Sequence, residues 1–163
     1  MASSLDSMYT EIIFEHDKRP QHAGLREDFD SEVHHVNPSC GDELTMRLLI
    51  EGEGDDALVK DISYEAVGCA MSRASASIMA DLFIGKTVAH AKKVMENFEG
   101  AMKSRGADAG DEELIEDGVA LLGASKFPGR VKCVLLPWKA YQALIVEAQA
   151  KHEKDAPEAG EQA

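Results

Sequence analysis

Apolar residues recur along this chain with two periods, and the switch between them marks out its elements. Leu5, Met8, Tyr9, Ile12 and Ile13 share one helical face, with Ser3 or Ser4 placed as a cap, which predicts an amphipathic helix over 4–16. The stretch HDKRPQHAG breaks that pattern at Pro20 and Gly24 and reads as a loop. From Ser31 to Val67 the period becomes two. Leu44, Met46, Leu48 and Ile50 alternate with Thr45, Arg47 and Leu49, and Ile62, Tyr64 and Ala66 follow the turn EGEGDD. This alternation predicts strands at 31–36, 43–52 and 57–66, forming a small antiparallel sheet with one wet face.

Beyond Gly68 the helical period returns. CAMSRASASIMADLFIG is rich in small residues that let a helix lie close to a sheet. KTVAHAKKVMENFEGAMK places Val88, Ala91, Met95, Phe98 and Met102 on one face. A polar break, SRGADAGDEE, precedes the short segment LIEDGVALL. The last helix is predicted to start near Pro137 and to run through Tyr141, Leu144, Ile145 and Ala148. There are no internal repeats.

A chain of 163 residues with 44% hydrophobic content suits a single core, which predicts one domain over residues 1–150. Residues 151–163 are polar and acidic and read as a disordered tail. No apolar run approaches the roughly 20 residues of a membrane span, and the acidic, amphipathic start does not resemble a signal peptide, so a cytoplasmic location is the expectation. Thirty acidic against 17 basic residues give a net charge of −13, which disfavours nucleic acid and anionic membranes as partners.

Three cysteines, an odd number, argue against a disulfide framework. Each falls at a predicted element end: Cys40 in the strand-connecting turn NPSCGD, Cys69 at a helix N-terminus after Gly68, and Cys133 just before the last helix. A thiol at a helix N-terminus faces free N–H groups that stabilise its thiolate, the form that binds metal or attacks sulfur. No pair has C-x-x-C spacing, so core packing and metal binding both remain open from spacing alone. Asp42, two residues after Cys40, is an ordinary turn residue. It also completes a set of three thiolates and one carboxylate, the ligand kinds and number of a tetrahedral zinc site.

In order and context, NPSCGDELTM, EAVGCAMSRASASIMADLFIGKT and FPGRVKCVLLPWKA resemble the three cysteine motifs of the IscU/NifU-like family, over roughly residues 4–150. The resemblance implies an α+β fold: a three-stranded antiparallel sheet with helices packed on it, and the cysteines and aspartate meeting at one exposed end. Scaffold members of the IscU type carry a histidine directly before the third cysteine, where this chain has Lys132. The SufU-type branch lacks that histidine, has an Arg-x-Lys-Cys context and carries an insertion before it. Arg130-Val131-Lys132-Cys133 and the stretch SRGADAGDEELIEDGVALLGASKFPG match that branch.

The SufU-type resemblance implies a zinc-dependent sulfurtransferase. Cys40, Asp42, Cys69 and Cys133 would bind Zn2+, Cys40 would accept sulfur, and Arg130 would assist. The implied partner is a pyridoxal-phosphate cysteine desulfurase of the SufS type. A partner histidine would displace Cys40 from the metal as a thiolate, which attacks the partner's persulfide, and downstream Suf cluster-assembly proteins would receive the sulfur. Two alternatives use the same residues: a scaffold for a [2Fe-2S] cluster, and a non-catalytic zinc adaptor that activates the desulfurase. Lys126, Arg130, Lys132 and Lys139 form a locally basic stretch suited to docking, although any one of them is also an ordinary solvated charge. The six histidines are scattered, and adjacent His34 and His35 point to opposite faces of a strand, so they make poor joint ligands. Met71, Met79, Met95, Met102 and Trp138 read as core.

Overall fold

The computed structural model describes residues 4–155. Of the predicted cap, Ser3 lies outside the described residues and the Ser4 side chain is likewise not described. Helix α1 (Ser4–Lys18) ends two residues before Pro20, two residues later than its apolar pattern predicted.

Strands β1 (Ser31–Asn37), β2 (Asp42–Glu51) and β3 (Leu58–Val67) form one antiparallel sheet with β2 in the centre. The register places Met46 opposite Val33 on one side and Tyr64 on the other, and closes the first hairpin with Asn37 opposite Asp42. Alternation works as the period requires. Leu44, Met46, Leu48 and Ile50 are all buried on the face that meets the helices.

The opposite face is drier than predicted. The chain after α1 crosses it: the Arg47 guanidinium lies 4.4 Å from the Phe29 ring centroid, and Arg26 N–H donates to the Ser63 hydroxyl at 3.1 Å. The Arg26 guanidinium also donates to both oxygens of Asp61. Thr45, Arg47 and Leu49 are therefore half-buried.

Helix α2 (Ala70–Phe83) is buried along almost its whole length, from Ser72 through Phe83 with few exceptions. Its small residues allow neighbours to approach on every side, and its buried serines bond outward. Ser77 Oγ lies 2.7 Å from His16 Nδ1 of α1, and Ser75 Oγ donates to the Val134 carbonyl at 2.6 Å. Helix α3 (Val88–Lys103) is capped by Thr87, whose hydroxyl accepts from His90 N–H, and buries the predicted face from Val88 to Met102. A short helix, α4 (Glu112–Ile115), and a 3-10 stretch (Glu116–Lys126) fill the insertion, burying Ile115 and Leu121 against the core.

The last helix differs most from expectation. Helix α5 runs over Pro128–Asp155, so it begins nine residues before Pro137 and extends five residues into the predicted tail. Pro128 occupies the start, where a missing N–H costs nothing; Pro137 stands inside, where it removes the helical bond to the Cys133 carbonyl. Cys133 is consequently not ahead of the helix but in its second turn. At the far end His152 and Lys151 pair with Asp30 at 2.9 and 3.7 Å, which ties down residues read as tail. Residues 156–163 lie outside the described set. Trp138, fully buried, stacks on Phe98 at 4.0 Å and meets the edge of Phe83 at 5.5 Å, so it anchors α5 as expected.

Candidate metal centre

Three backbone features bring the site together. The first hairpin turns between Asn37 and Asp42, with Cys40 N–H bonded to the Asn37 carbonyl at 3.2 Å and Gly41 at a φ of +69°. Asp42 is the first residue of β2, not part of the turn, and shares the parity of Leu44 and Met46. Its carboxylate therefore points inward and is completely buried.

The Asp42 Oδ1 atom accepts the Cys69 backbone N–H at 2.8 Å and the Ser72 hydroxyl at 3.2 Å, so it caps the N-terminus of α2 from outside that helix. Gly68, at a φ of +136°, makes room for it: a β-carbon there would stand 2.8 Å from the Asp42 Cα. The other oxygen, Oδ2, is buried with no hydrogen-bond partner among the described residues. A buried carboxylate oxygen left bare is costly, and a cation is the partner that would offset the cost.

Two sulfurs stand beside it. Cys40, Asp42 and Cys133 present ligand atoms that all lie within 4.8 Å of one another. The Cys133 and Cys40 Sγ atoms are 2.8 Å apart, Cys133 only 3% exposed and Cys40 open to solvent. Asn37 Nδ2 donates to Cys133 Sγ at 3.6 Å, and the Gly129 carbonyl lies 3.6 Å from the same sulfur. Burial, first, and then the neighbouring Cys40 and Asp42 push the Cys133 thiol strongly upward, because a second negative charge here has no countercharge.

Cys69, the fourth expected ligand, stands outside that trio. It serves as N-cap residue of α2 and is half-buried, with its sulfur 3.8 Å from the Ser72 hydroxyl and its N–H on Asp42. A tetrahedral shell that included Cys69 would require a turn of its side chain toward the trio. The donor set, a bare carboxylate oxygen and adjacent thiols, fits zinc. Arg130 is exposed in the first turn of α5, its guanidinium 5.2 Å from the Phe127 ring centroid. Lys126, Lys132 and Lys139 are exposed as well. Gly68, Asn37 and Ser72 were not singled out from sequence. All three lie within or one turn beyond the cysteine motifs, the only signal that could have pointed to them.

A three-stranded antiparallel sheet packed with helices, with thiols and a buried carboxylate meeting at the hairpin end, defines an IscU-like α+β domain. Residues 8–134 match the NifU-like N-terminal domain, and the chain belongs to that family. The chain is 35% identical over 147 residues to the zinc-dependent sulfurtransferase SufU of Bacillus subtilis (strain 168), covering 90% of this chain and 95% of that one. It is also 32% identical over 154 residues to the iron-sulfur cluster assembly scaffold protein IscU of Streptococcus pyogenes serotype M1, covering 94% and 92%. Among solved structures, a candidate iron-sulfur cluster assembly scaffold protein for the SUF system from Fervidobacterium islandicum AW-1 superposes with a TM-score of 0.72 at 32% identity, over 87% of this chain and 98% of that one. Among the described residues, no helix is long and apolar enough to cross a membrane.

Proposed function

We propose that this chain is a zinc-dependent sulfurtransferase of iron-sulfur cluster assembly, which takes persulfide sulfur from a SufS-type cysteine desulfurase onto Cys40. The observation that carries the reading is the asymmetry of the site: exposed Cys40 lies 2.8 Å from buried Cys133, beside a buried carboxylate oxygen without a partner. Cys40, Asp42 and Cys133, joined by Cys69, would hold the ion. Zinc bound there keeps the thiols deprotonated at neutral pH.

The chain's own part follows from burial. Asp42 and Cys133 are fixed in the core by β2 and α5, whereas Cys40 rides on a short turn and can swing outward. Its thiolate attacks the outer sulfur of the partner's persulfide, the partner's S–S bond breaks, the partner's cysteine leaves as thiolate, and Cys40 becomes the persulfide. Exposed Val36, Val67 and Phe127 each lie within two residues of the site's own residues. With Lys126, Arg130 and Lys132 they offer a rim that is apolar and basic, in contrast to the acidic remainder of the molecule. Arg130 stands on that rim, and its assisting role is docking or shielding of the transferred sulfur. Suf cluster-assembly proteins downstream would then receive the sulfur.

The test pairs composition with transfer. Protein purified anaerobically under reducing conditions should hold about one zinc per chain and no acid-labile sulfide. Cys40→Ser should abolish persulfide transfer from the desulfurase. Stoichiometric iron and sulfide would instead make the chain a cluster scaffold, the reading that the Streptococcus pyogenes relative favours. Undiminished desulfurase activation by Cys40→Ser, with no sulfur on the chain, would make it an adaptor.

A further inference from the structure

The proposed transfer chemistry uses the Cys40 sulfur and leaves Cys133 only a holding role, yet the two sulfurs lie 2.8 Å apart. We propose that Cys133 is a resolving thiol that releases the carried sulfur as hydrosulfide by closing a Cys40–Cys133 disulfide. This rests on the reading that Cys40 carries a persulfide.

The distance suits a displacement at the Cys40 sulfur. Cys133 is buried and its Sγ lies 2.8 Å from that of Cys40, which is exposed. Thiol–disulfide exchange needs attacking, central and leaving sulfurs in line, so the proposed step requires the outer sulfur of the Cys40 persulfide to point away from Cys133, toward solvent. Forming the bond means closing the gap to about 2.05 Å, a movement of under 1 Å that the Cys40 turn can supply. Holding the two groups together replaces a bimolecular collision with an external thiol by a unimolecular step.

The step balances without an outside oxidant. The Cys133 sulfur bonds to the inner sulfur of the Cys40 persulfide, the inner-to-outer S–S bond breaks, and the outer sulfur departs with that electron pair. In the metal-free site the Cys133 sulfur gives up its thiol proton to the departing sulfur, giving hydrosulfide. The sulfane sulfur is reduced and the two cysteines are oxidised. A dithiol reductant restores them by supplying two electrons. Sulfide would thus leave the chain as an inorganic ion when no protein acceptor takes the persulfide, and the chain would then be closed to further loading until reduced.

The test bypasses the desulfurase. The full chain, as purified and again with a chelator present, is persulfidated anaerobically with sodium polysulfide, freed of reagent by gel filtration and followed for free hydrosulfide. Peptide mapping by mass spectrometry then locates sulfur and cross-links. The expected result is hydrosulfide release in step with a Cys40–Cys133 cross-link. Cys133→Ala, confirmed folded by circular dichroism, should retain the extra sulfur on Cys40 and slow release at least tenfold. Release from Cys133→Ala at the wild-type rate would overturn the proposal. So would a wild-type product with no Cys40–Cys133 cross-link, a measurement independent of how any variant folds. Because the persulfide is made chemically, failure here leaves transfer from the desulfurase standing, and failure of that transfer leaves this result readable.

Discussion

Gly68 packs so closely against Asp42 that no side chain fits at position 68. A β-carbon on Gly68 would collide with Asp42 Oδ1 and stand 2.8 Å from its Cα, and backbone cannot step aside as a flexible side chain can. The φ of +136° adds strain for any other residue. Gly68→Ala should therefore cost about 1–3 kcal/mol of stability and push the carboxylate off the Cys69 N–H. Metal analysis and urea unfolding of the variant, with and without chelator, should show zinc content reduced along with stability. A variant with wild-type zinc content and midpoint would contradict this account of the site.

Two buried tyrosines carry opposite expectations. Tyr64 donates its hydroxyl to the Gln21 carbonyl at 2.7 Å, whereas the Tyr141 hydroxyl has no partner among the described residues. Tyr64→Phe should destabilise by about 1–2 kcal/mol, and Tyr141→Phe should stabilise by up to about 1 kcal/mol. Thermal or urea unfolding at neutral pH decides both signs.

Tyr64 also sets an alkaline limit. Burial pushes its phenol up to about 12, above the roughly 10 of an unfolded tyrosine. The folded chain then holds the proton more tightly, so this contribution is complete below about pH 10 and is lost as pH rises toward 12. In Tyr64→Phe the fall in unfolding free energy over that interval should be shallower than in wild type. Parallel curves would show that Tyr64 titrates normally.

Ser75 supports α5 where Pro137 weakens it. Its hydroxyl donates to the Val134 carbonyl at 2.6 Å and accepts the Trp138 indole N–H at 2.8 Å. Ser75→Ala leaves two buried groups without that partner and should cost about 2–3 kcal/mol. Hydrogen exchange should speed up most in residues 131–140, next to Cys133. A change confined to α2 would count against the coupling.

The contacts of His16 favour one tautomer of the neutral ring. Ser77 Oγ accepts the Gln21 N–H at 2.7 Å and lies 2.7 Å from His16 Nδ1, while Nε2 lies 2.9 Å from an Asp117 carboxylate oxygen, which can only accept; Nε2–H with a bare Nδ1 satisfies all three. Ring nitrogen shifts measured by NMR at neutral pH should report the Nε2–H form. Ser77→Ala should mix the tautomers and loosen α1 from α2.

The sequence announced much of this structure because the relevant signals are local. Alternation from Leu44 to Ile50 and the face from Val88 to Met102 predicted β2 and α3 closely, since period and burial coincide there. Helix α5 was cut short because Pro137 looks like a first helical residue. Nothing local reveals that Ser75, far away in sequence, supplies a bond beside the gap. The cysteine motifs located the site, but not its arrangement. Asp42 looked like a turn residue until strand pairing showed it as the inward first residue of β2. The need for glycine at position 68 exists only once β2 and the start of α2 meet. The orientation of Cys69, away from the trio, depends on the Ser72 hydroxyl one turn later, which no spacing rule contains.

The core is built on residues such as Met46, Ile62, Met79, Phe83, Trp138 and Leu144, and the candidate metal site meets it only at the edge, through Asp42 and Cys133. In small zinc domains the ion is the core, and its loss is unfolding. Were metal or sulfur carried as proposed, loading would leave that core as it is. A partner that had to know whether sulfur or metal is aboard would then find the answer not in the shape of the domain but in the few atoms of the Cys40 turn, so cargo sensing and cargo exchange would fall on the same contact.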